Sequence, residues 1–222
     1  MPRKQKVISQ AELATMFDEQ AGKRGWKGMV PRYCFPKNIE GEFFPDREYL
    51  FKAFTLVKPE EVKYVVLGMD PYPDTIEGSS IPYATGIAFD VPDNVPDDDV
   101  PPSLNAFVEK IYDVRKLNTT QEKVKIFRDW IDRNKVLMLN SALTVRRNES
   151  GSHLQEWKMF ATAICSTLIK RHPSVKSIAL GAHARKIICT ALEDAEIFTS
   201  CNHPSIAHVG GDRSFAKRFR LP

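Results

Sequence analysis

The chain has 222 residues, of which 42% are hydrophobic, and its 32 lysines and arginines against 28 aspartates and glutamates give a net charge of +4. This length and composition predict one globular domain with a substantial core, and no apolar run approaches the roughly 20 residues that a membrane span needs. The weakly basic balance permits an acidic partner such as nucleic acid without requiring one.

Four cysteines occur, and none forms a Cys-x-x-Cys pair. Two of them lie within apolar helical patterns, which favours reduced thiols in the core over metal ligands. The N-terminal residues lack the long apolar stretch of a secretory signal. We therefore expect a protein that is not secreted and that is cytoplasmic, or nuclear or virion-associated if its source is eukaryotic or viral.

The first 60 residues differ in pattern from the rest of the chain. Apolar residues have helical spacing over 11–21, whereas 26–46 is rich in proline, glycine and aromatic residues. We predict that 1–60 is a helical and irregular segment packed on the core, and that 61–222 forms the α/β part of a single domain.

From residue 61 onward, short apolar runs alternate with amphipathic patterns. The predicted strands are 63–69, 135–139, 177–180 and 196–201. The predicted helices are 104–116, one that starts after Thr119, 154–170 and 183–192. Ser103 is the expected N-cap of the first helix, and Thr119 and Glu122 have the spacing of a capping box in the second. This alternation predicts an α/β fold with a central four-stranded, mainly parallel sheet and helices on both faces.

Polar residues stand at the ends of three predicted strands. Asp70 follows the first strand, Asn140 the second and His203 the fourth. Because ligands of open α/β sheets bind beyond the carboxyl ends of the strands, these side chains are expected to converge on one edge. Pro71 and Pro73 flank the tyrosine after Asp70, and they would stiffen the turn that aims the carboxylate.

An acid, an amide and an imidazole suit base recognition joined to cleavage at a sugar carbon. The Asn140 amide offers a donor and an acceptor side by side, which matches a nucleobase edge. A carboxylate stabilises an oxocarbenium-like transition state, and an imidazole donates to an oxygen that gains charge. Phe89 offers a stacking surface. Singly, Asp70, Asn140 and Phe89 more often have structural roles, and His203 is equally balanced between the two, so only their joint placement favours function.

Several short motifs follow one another over roughly residues 60–215. They read Gly68-Met69-Asp70-Pro71-Tyr72, Thr85-Gly86-Ile87-Ala88-Phe89, Pro101-Pro102-Ser103-Leu104, Leu137-Met138-Leu139-Asn140, Gly151-Ser152-His153 with Trp157, and His203-Pro204-Ser205. In that order they resemble the water-activating motif, stacking-phenylalanine segment, proline-rich DNA loop, uracil-binding strand, next helix and DNA-intercalation loop of uracil-DNA glycosylases of the family-1 type.

The resemblance implies a monofunctional uracil-DNA glycosylase of base-excision repair, which flips deoxyuridine out of DNA and hydrolyses its glycosidic bond without a metal or cofactor. Asp70 would activate water and stabilise the sugar cation, and His203 would donate to uracil O2. The implied substrate-binding residues are Met69 (through its backbone), Tyr72, Phe89 and Asn140. The implied DNA-binding residues are Pro101, Pro102, Ser103, Ala182, Pro204, Ser205, Ile206 and Ala207.

The chain departs from the family's pattern at several of these motifs. Pro73 replaces the usual histidine, and Ala182 replaces the usual serine. Met69 and Tyr83 each stand where the family commonly has a glutamine. The usual wedge leucine is replaced by Ala207, although Ile206 could substitute for it. A small wedge predicts a preference for single-stranded DNA or U:G mismatches over U:A pairs. Five aspartates, at 90, 93, 97, 98 and 99, precede the proline-rich loop, and we expect them in a solvated loop.

Two alternatives remain open. The same fold could serve as a scaffold that binds DNA or a replication partner with weak or no glycosylase activity. It could also act on another damaged base.

The expected partners are uracil-containing DNA, single- or double-stranded, and a DNA-mimicking glycosylase inhibitor protein. We expect a monomer and no membrane association.

Overall fold

The computed structural model describes residues 7–112, 117, 119–192 and 199–201. The helices are α1 (Gln10–Ala21), α2 (Ala53–Leu56), α3 (Pro102–Tyr112), α4 (Thr120–Asn134), α5 (Leu154–Arg171) and α6 (Ala182–Leu192). The strands are β1 (Ile8–Ser9), β2 (Asn38–Ile39), β3 (Phe43–Phe44), β4 (Tyr64–Gly68), β5 (Val136–Asn140), β6 (Val145–Arg146), β7 (Lys176–Leu180) and β8 (Thr199–Cys201). Short 3-10 helices occupy Gly22–Arg24, Arg32–Cys34, Arg47–Tyr49, Pro59–Glu61 and Asp97–Asp99.

A four-stranded sheet with the strand order β5-β4-β7-β8 forms the centre of the molecule, and all its pairings are parallel. β4 pairs with β5 along its whole length, from Tyr64 opposite Val136 to Gly68 opposite Asn140. Two short antiparallel pairs, β1 with β2 and β3 with β6, lie outside this sheet. The predicted four-stranded parallel sheet is confirmed.

Alternate residues of the central strands pack on opposite faces of the sheet. Val65 and Leu67 of β4 belong to a core that also contains buried residues of α1, α5 and α6. Tyr64 and Val66 belong to a second core formed with residues of α3 and α4. Because a strand buried on both faces must be apolar throughout, β4 is a continuous apolar run, and helices on both faces are confirmed.

The N-terminal segment contributes aromatic side chains to the first of these cores. The ring of Phe17 in α1 meets the rings of Phe51, Phe54 and Phe160 edge to face, with centroids 5.1, 5.2 and 5.7 Å away. Such edge-to-face contacts add to the hydrophobic gain of burial. Trp26 is buried there too, and its indole N–H donates to the Val57 carbonyl at 2.9 Å.

Within the described residues, most predicted element boundaries agree closely with the observed ones. Residues 113–116 of the first predicted helix and 196–198 of the last predicted strand lie outside the described residues. The capping box of α4 is present: the Thr119 hydroxyl accepts from Glu122 N at 3.2 Å, and the Glu122 carboxylate accepts from Thr119 N at 3.3 Å. The prediction of Ser103 as an N-cap is wrong, because α3 begins one residue earlier, at Pro102. A proline is favoured in a first helical turn, since it needs no N–H partner there.

None of the helices in the described part of the chain is long and apolar enough to cross a membrane.

The loop between Thr85 and Val91 passes very close to the α2 region. Gly86 has φ +82°, and a Cβ at this position would lie 1.8 Å from the carbonyl oxygen of Tyr49. The Gly86 carbonyl accepts from Ala53 N at 3.3 Å, and the Ala88 N–H donates to Met138 O of β5 at 3.3 Å. The loop is therefore fastened to two elements through its backbone, and Gly86 is the residue that permits the closest approach.

Replacing Gly86 with alanine should destabilise the fold far more than replacing Gly78, which also has positive φ (+68°) but has open space around its Cβ position. Gly78→Ala should cost only the left-handed backbone penalty of about 1–2 kcal/mol. Gly86→Ala should add an overpacking cost of about 1–3 kcal/mol. Urea denaturation of both variants measures the difference, and equal losses would contradict the close approach.

Candidate active site

The carboxyl ends of β4 and β5 bring Gly68 and Asn140 side by side. The chain after β5 folds back on the end of β4: Ser141 donates to the Gly68 carbonyl through its N–H at 3.0 Å and through its hydroxyl at 2.7 Å. The Ala142 N–H donates to the Met69 carbonyl at 3.0 Å. These bonds fix the position of Asp70, which comes immediately after Met69.

Asp70 is held by two donors from the loop that precedes α5. Its Oδ2 accepts from the Ser150 hydroxyl at 2.9 Å and from the Gly151 N–H at 2.5 Å. Burial raises the pKa of the Asp70 carboxyl above its ordinary value, while the two hydrogen bonds and the nearby His183 oppose that rise. The side chain is thus a partly desolvated acid with a fixed orientation, as a base or cation-stabilising group needs.

Asn140 projects into the same space because Gly68 has no side chain. A Cβ on Gly68 would lie 2.5 Å from the Asn140 Oδ1 and 3.2 Å from the Phe89 ring. Asn140 is 8% exposed, so its amide sits in a recess rather than on the surface. A buried amide with its hydrogen-bonding edge in a recess can select a ligand by donor and acceptor pattern.

Tyr72 and Phe89 form two walls of the recess. The Tyr72 hydroxyl lies 2.8 Å from the Ser103 hydroxyl and donates to the Phe89 carbonyl at 3.3 Å. Burial raises the pKa of Tyr72, so the phenol stays neutral. The Phe89 ring packs against the Phe107 ring, with ring centroids 5.3 Å apart and an angle of 33° between the ring planes.

These side chains line one pocket of about 170 Å³. It is smaller than the several hundred Å³ typical of sites for drug-sized ligands, which suits one small planar ring. The lining residues are Leu50, Asp70, Pro71, Tyr72, Pro73, Ala84, Gly86, Ile87, Ala88, Phe89, Ser103, Asn140, Leu143 and Ser150. No cluster of three or more His, Cys, Asp or Glu residues suited to a metal ion occurs within the described ranges.

Proteins named as uracil-DNA glycosylases resemble this chain in sequence. No protein-family model matches the chain. The probable uracil-DNA glycosylase of Acanthamoeba polyphaga mimivirus is 34% identical over 164 residues, which is 72% of this chain and 42% of that protein. The uracil-DNA glycosylase of Streptococcus pneumoniae (strain Hungary19A-6) is 28% identical over 198 residues, which is 87% of this chain and 85% of that one.

Solved structures agree with the sequence matches. The crystal structure of mimivirus uracil-DNA glycosylase superposes with a TM-score of 0.65 at 31% identity, covering 77% of this chain and 59% of that one. The chain belongs to the uracil-DNA glycosylase superfamily. It is a divergent member, and it spans less than half the length of the mimivirus relative. The UNG of Nitratifractor salsuginis, at 21% identity and a TM-score of 0.56 over 91% of this chain, shows the same fold.

The predicted glycosylase site residues fall into three groups. Asp70, Tyr72, Phe89, Asn140 and Ser103 line the pocket together. Four further residues lie outside its lining: Met69, Pro101, Pro102 and Ala182. His203, Pro204, Ser205, Ile206 and Ala207 fall outside the described residues. Ala182 opens α6 at the carboxyl end of β7, and Pro102 opens α3, so both stand at helix N-termini.

The expected solvated loop is observed only in part: Asp93, Asp97 and Asp98 are exposed, whereas Asp90 is fully buried and Asp99 is half-buried. Asp90 is fully buried in an ion pair with Arg128. Asp97 accepts from Thr120 N at 2.6 Å, at the start of α4. Asp99 accepts from the Tyr83 hydroxyl. Asp90, Asp97 and Asp99 therefore stabilise the fold as hydrogen-bond acceptors. Their donors are the Arg128 guanidinium, the backbone N–H of Thr120 and the Tyr83 hydroxyl.

Sequence reasoning missed Ser150, and it did not connect Gly151, which belongs to one of the motifs that carry the resemblance, with Asp70. Ser150 and Gly151 are about 80 positions away along the chain, and nothing in their local pattern marks them as partners of an acid. A buried network supports the loop that contains both residues: the Thr144 hydroxyl accepts from the Trp157 N–H at 2.6 Å and lies 2.9 Å from His153 Nδ1. Burial lowers the pKa of His153, which favours the neutral imidazole in this network.

Replacing Ser150 with alanine should raise the pKa of the Asp70 carboxyl further, because it removes a hydrogen bond to the charged form. The change can be followed by carbon-13 NMR titration of the Asp70 carboxyl. Ser152→Ala is the matched control, since Ser152 accepts from Arg146 N in the same loop and does not bond to Asp70. An Asp70 titration that is the same in wild type and Ser150→Ala would contradict the assigned contact.

Proposed function

We propose that this protein is a monofunctional DNA glycosylase that hydrolyses the N-glycosidic bond of flipped-out deoxyuridine, releasing uracil and leaving an abasic site. The observation that carries the proposal is the meeting of Asp70, Tyr72, Phe89 and Asn140 in one small pocket. The named relatives support the same activity class.

Each of the four side chains has a distinct role in the proposed reaction. The Asn140 amide would pair with O4 and N3–H of uracil and so exclude cytosine. The Phe89 ring would stack on the base, and Tyr72 would exclude the 5-methyl group of thymine. Discrimination by a buried amide is strong, because the wrong base leaves polar groups unpaired.

Asp70 would act at the sugar. With its Oδ2 held by the donors of Ser150 and Gly151, the carboxylate does not need to reorient during reaction. It would orient the attacking water and stabilise positive charge at C1′ as the base departs. The partial desolvation that raises its pKa also strengthens its attraction for that charge, as long as the carboxyl stays ionised.

Departure of the base leaves negative charge on uracil O2. His203 is proposed to donate to that oxygen, aided by backbone N–H groups near Met69 and Asp70. Ser205, Pro204 and a wedge at Ile206 or Ala207 are proposed to contact the DNA that surrounds the flipped nucleotide.

The proposed DNA path follows the carboxyl ends of the strands. The N-termini of α3, near Pro101 and Ser103, and of α6, at Ala182, offer amides and a favourable dipole to phosphates. The Ser103 hydroxyl already contacts Tyr72, so phosphate binding at this position would couple to the base pocket. Affinity for DNA should fall as salt rises, because phosphate contacts release counterions.

The relatives also suggest a protein partner. One solved neighbour is described as mimivirus UNG in complex with UGI, and it is 33% identical over 73% of this chain. We propose that the same inhibitor binds this chain across the pocket mouth. Action on genomic DNA would place the protein in the cytoplasm or, in a eukaryotic cell, in the nucleus.

Asp70→Asn should lower the rate of uracil release by at least about a hundredfold, the usual loss for a positioned acid–base group. Labelled oligonucleotides with one uracil, as single strand, U:A and U:G, are incubated with enzyme, and alkali reveals abasic sites. Asp74→Asn is the matched control, because it makes the same change in an exposed residue of the same turn.

Uracil release by Asp70→Asn at the wild-type rate would refute the mechanism. DNA binding by the wild type without any base release would instead favour the scaffold alternative, and release of hypoxanthine but not uracil would favour the alternative base.

A further inference from the structure

An ion pair between the buried carboxylate of Asp90 and the partly exposed guanidinium of Arg128 lies next to the Phe89 wall of the pocket. The Asp90 side chain is fully buried, and its two oxygens accept from Arg128 Nε at 2.9 Å and Nη2 at 3.1 Å. The Thr85 hydroxyl donates to the same carboxylate at 2.7 Å. Asp90 therefore links helix α4 to both ends of the loop that carries Phe89.

Arg128 holds this loop at two further points. Its Nη1 donates to Asp93 Oδ1 at 2.9 Å, and its Nη2 donates to the Val91 carbonyl at 3.1 Å. One guanidinium thus binds three of the four residues that follow Phe89. A planar guanidinium presents its donors in a fixed fork, so these bonds set the orientation of the loop as well as its distance from α4.

An ion pair between a buried carboxylate and a partly exposed guanidinium contributes little net stability, because the cost of desolvating Asp90 offsets most of the attraction. Apolar residues of similar volume often stabilise a fold equally well. The geometry of the Asp90–Arg128 pair therefore points to orientation of the loop as its main effect.

Phe89 is the residue whose conformation needs such support. Its φ is +66°, in the left-handed region that a bulky residue rarely adopts. A residue in this region keeps its conformation only where the surroundings fix it from several sides. Here the Ala88 N–H is bonded to Met138 on one side, and Asp90 is bonded to Arg128 on the other.

We propose that Arg128 and Asp90 are positioning residues that hold Phe89 in its left-handed conformation, so that its ring is preset to stack on the base entering the pocket. The inference rests on the proposed function for the identity of that base. Neither residue lines the pocket. A preset ring binds the base without a loop rearrangement at each encounter.

The decisive variant replaces the ion pair with an apolar pair, Asp90→Leu with Arg128→Leu. It leaves no buried charge unpaired, so the fold should be kept while the forked contacts to the loop are lost. Arg128→Lys keeps the charge and loses the fork. Asp132→Asn is the control, because it removes an exposed ion pair with Lys135 on the same helix without touching the loop.

The leucine pair should raise KM for uracil-containing single strands by about tenfold, within the range expected for loss of base stacking, with kcat changed by less than about threefold. Arg128→Lys should raise KM by a smaller factor, and Asp132→Asn should leave it unchanged. Among the three variants, the leucine pair should show the largest change in the NMR resonances of the Phe89 ring and in the contacts of this ring with Phe107.

A folded leucine pair with wild-type KM and wild-type Phe89 resonances would overturn the proposal. If the leucine pair fails to fold, Arg128→Lys decides, and a wild-type KM in that variant overturns it. If wild type releases no uracil, the proposed function fails, and the positioning role is then tested by the Phe89 resonances alone. Unchanged Phe89 resonances in the leucine pair would overturn the positioning role.

Discussion

The pocket depends on one close approach between two neighbouring strands. The parallel register sets Gly68 of β4 opposite Asn140 of β5, at the point where both strands end. Any side chain at Gly68 would occupy the place of the Asn140 amide and press on the Phe89 ring. Since neither strand can shift register without turning its side chains to the opposite face of the sheet, this arrangement is fixed by the core itself.

Most of the remaining pocket lining comes from loops, and two of these loops are fixed by polar contacts. The loop with Phe89 is bound to α4 through Asp90 and Arg128. The loop with Ser150 and Gly151 is supported by the network of Thr144, His153 and Trp157. Such networks cost desolvation energy, but they define one loop geometry, and a site that must hold a carboxylate in a fixed direction needs that definition.

Much of the fold could be predicted from apolar patterns. β4 and β5 are apolar runs buried on both faces, and the capping box at Thr119 marks the start of α4. The rule that ligands bind beyond the carboxyl ends of parallel strands was enough to predict that Asp70 and Asn140 share one site. Ser103 shows the limit of local signals, because a proline at the next position upstream already starts the helix.

The contacts that shape the site could not be predicted in the same way. Ser150 meets Asp70 across 80 positions of sequence, and Arg128 meets Asp90 across 38. Aspartates in a polar run ordinarily indicate a solvated loop, and only the three-dimensional path of the chain places Asp90 inside the molecule. Such long-range pairs leave no local pattern in the sequence, because the path of the folded chain determines which two residues meet, and the neighbouring residues along the chain do not.

The most direct test of the account is a titration with free bases, observed at the side-chain amide of Asn140 by nitrogen-15 NMR. The account predicts that uracil shifts the Asn140 amide resonances in a saturable manner and that thymine leaves them in place, because Tyr72 blocks its methyl group. Equal shifts with thymine, or no shift with uracil, would contradict the central claim that this pocket recognises uracil.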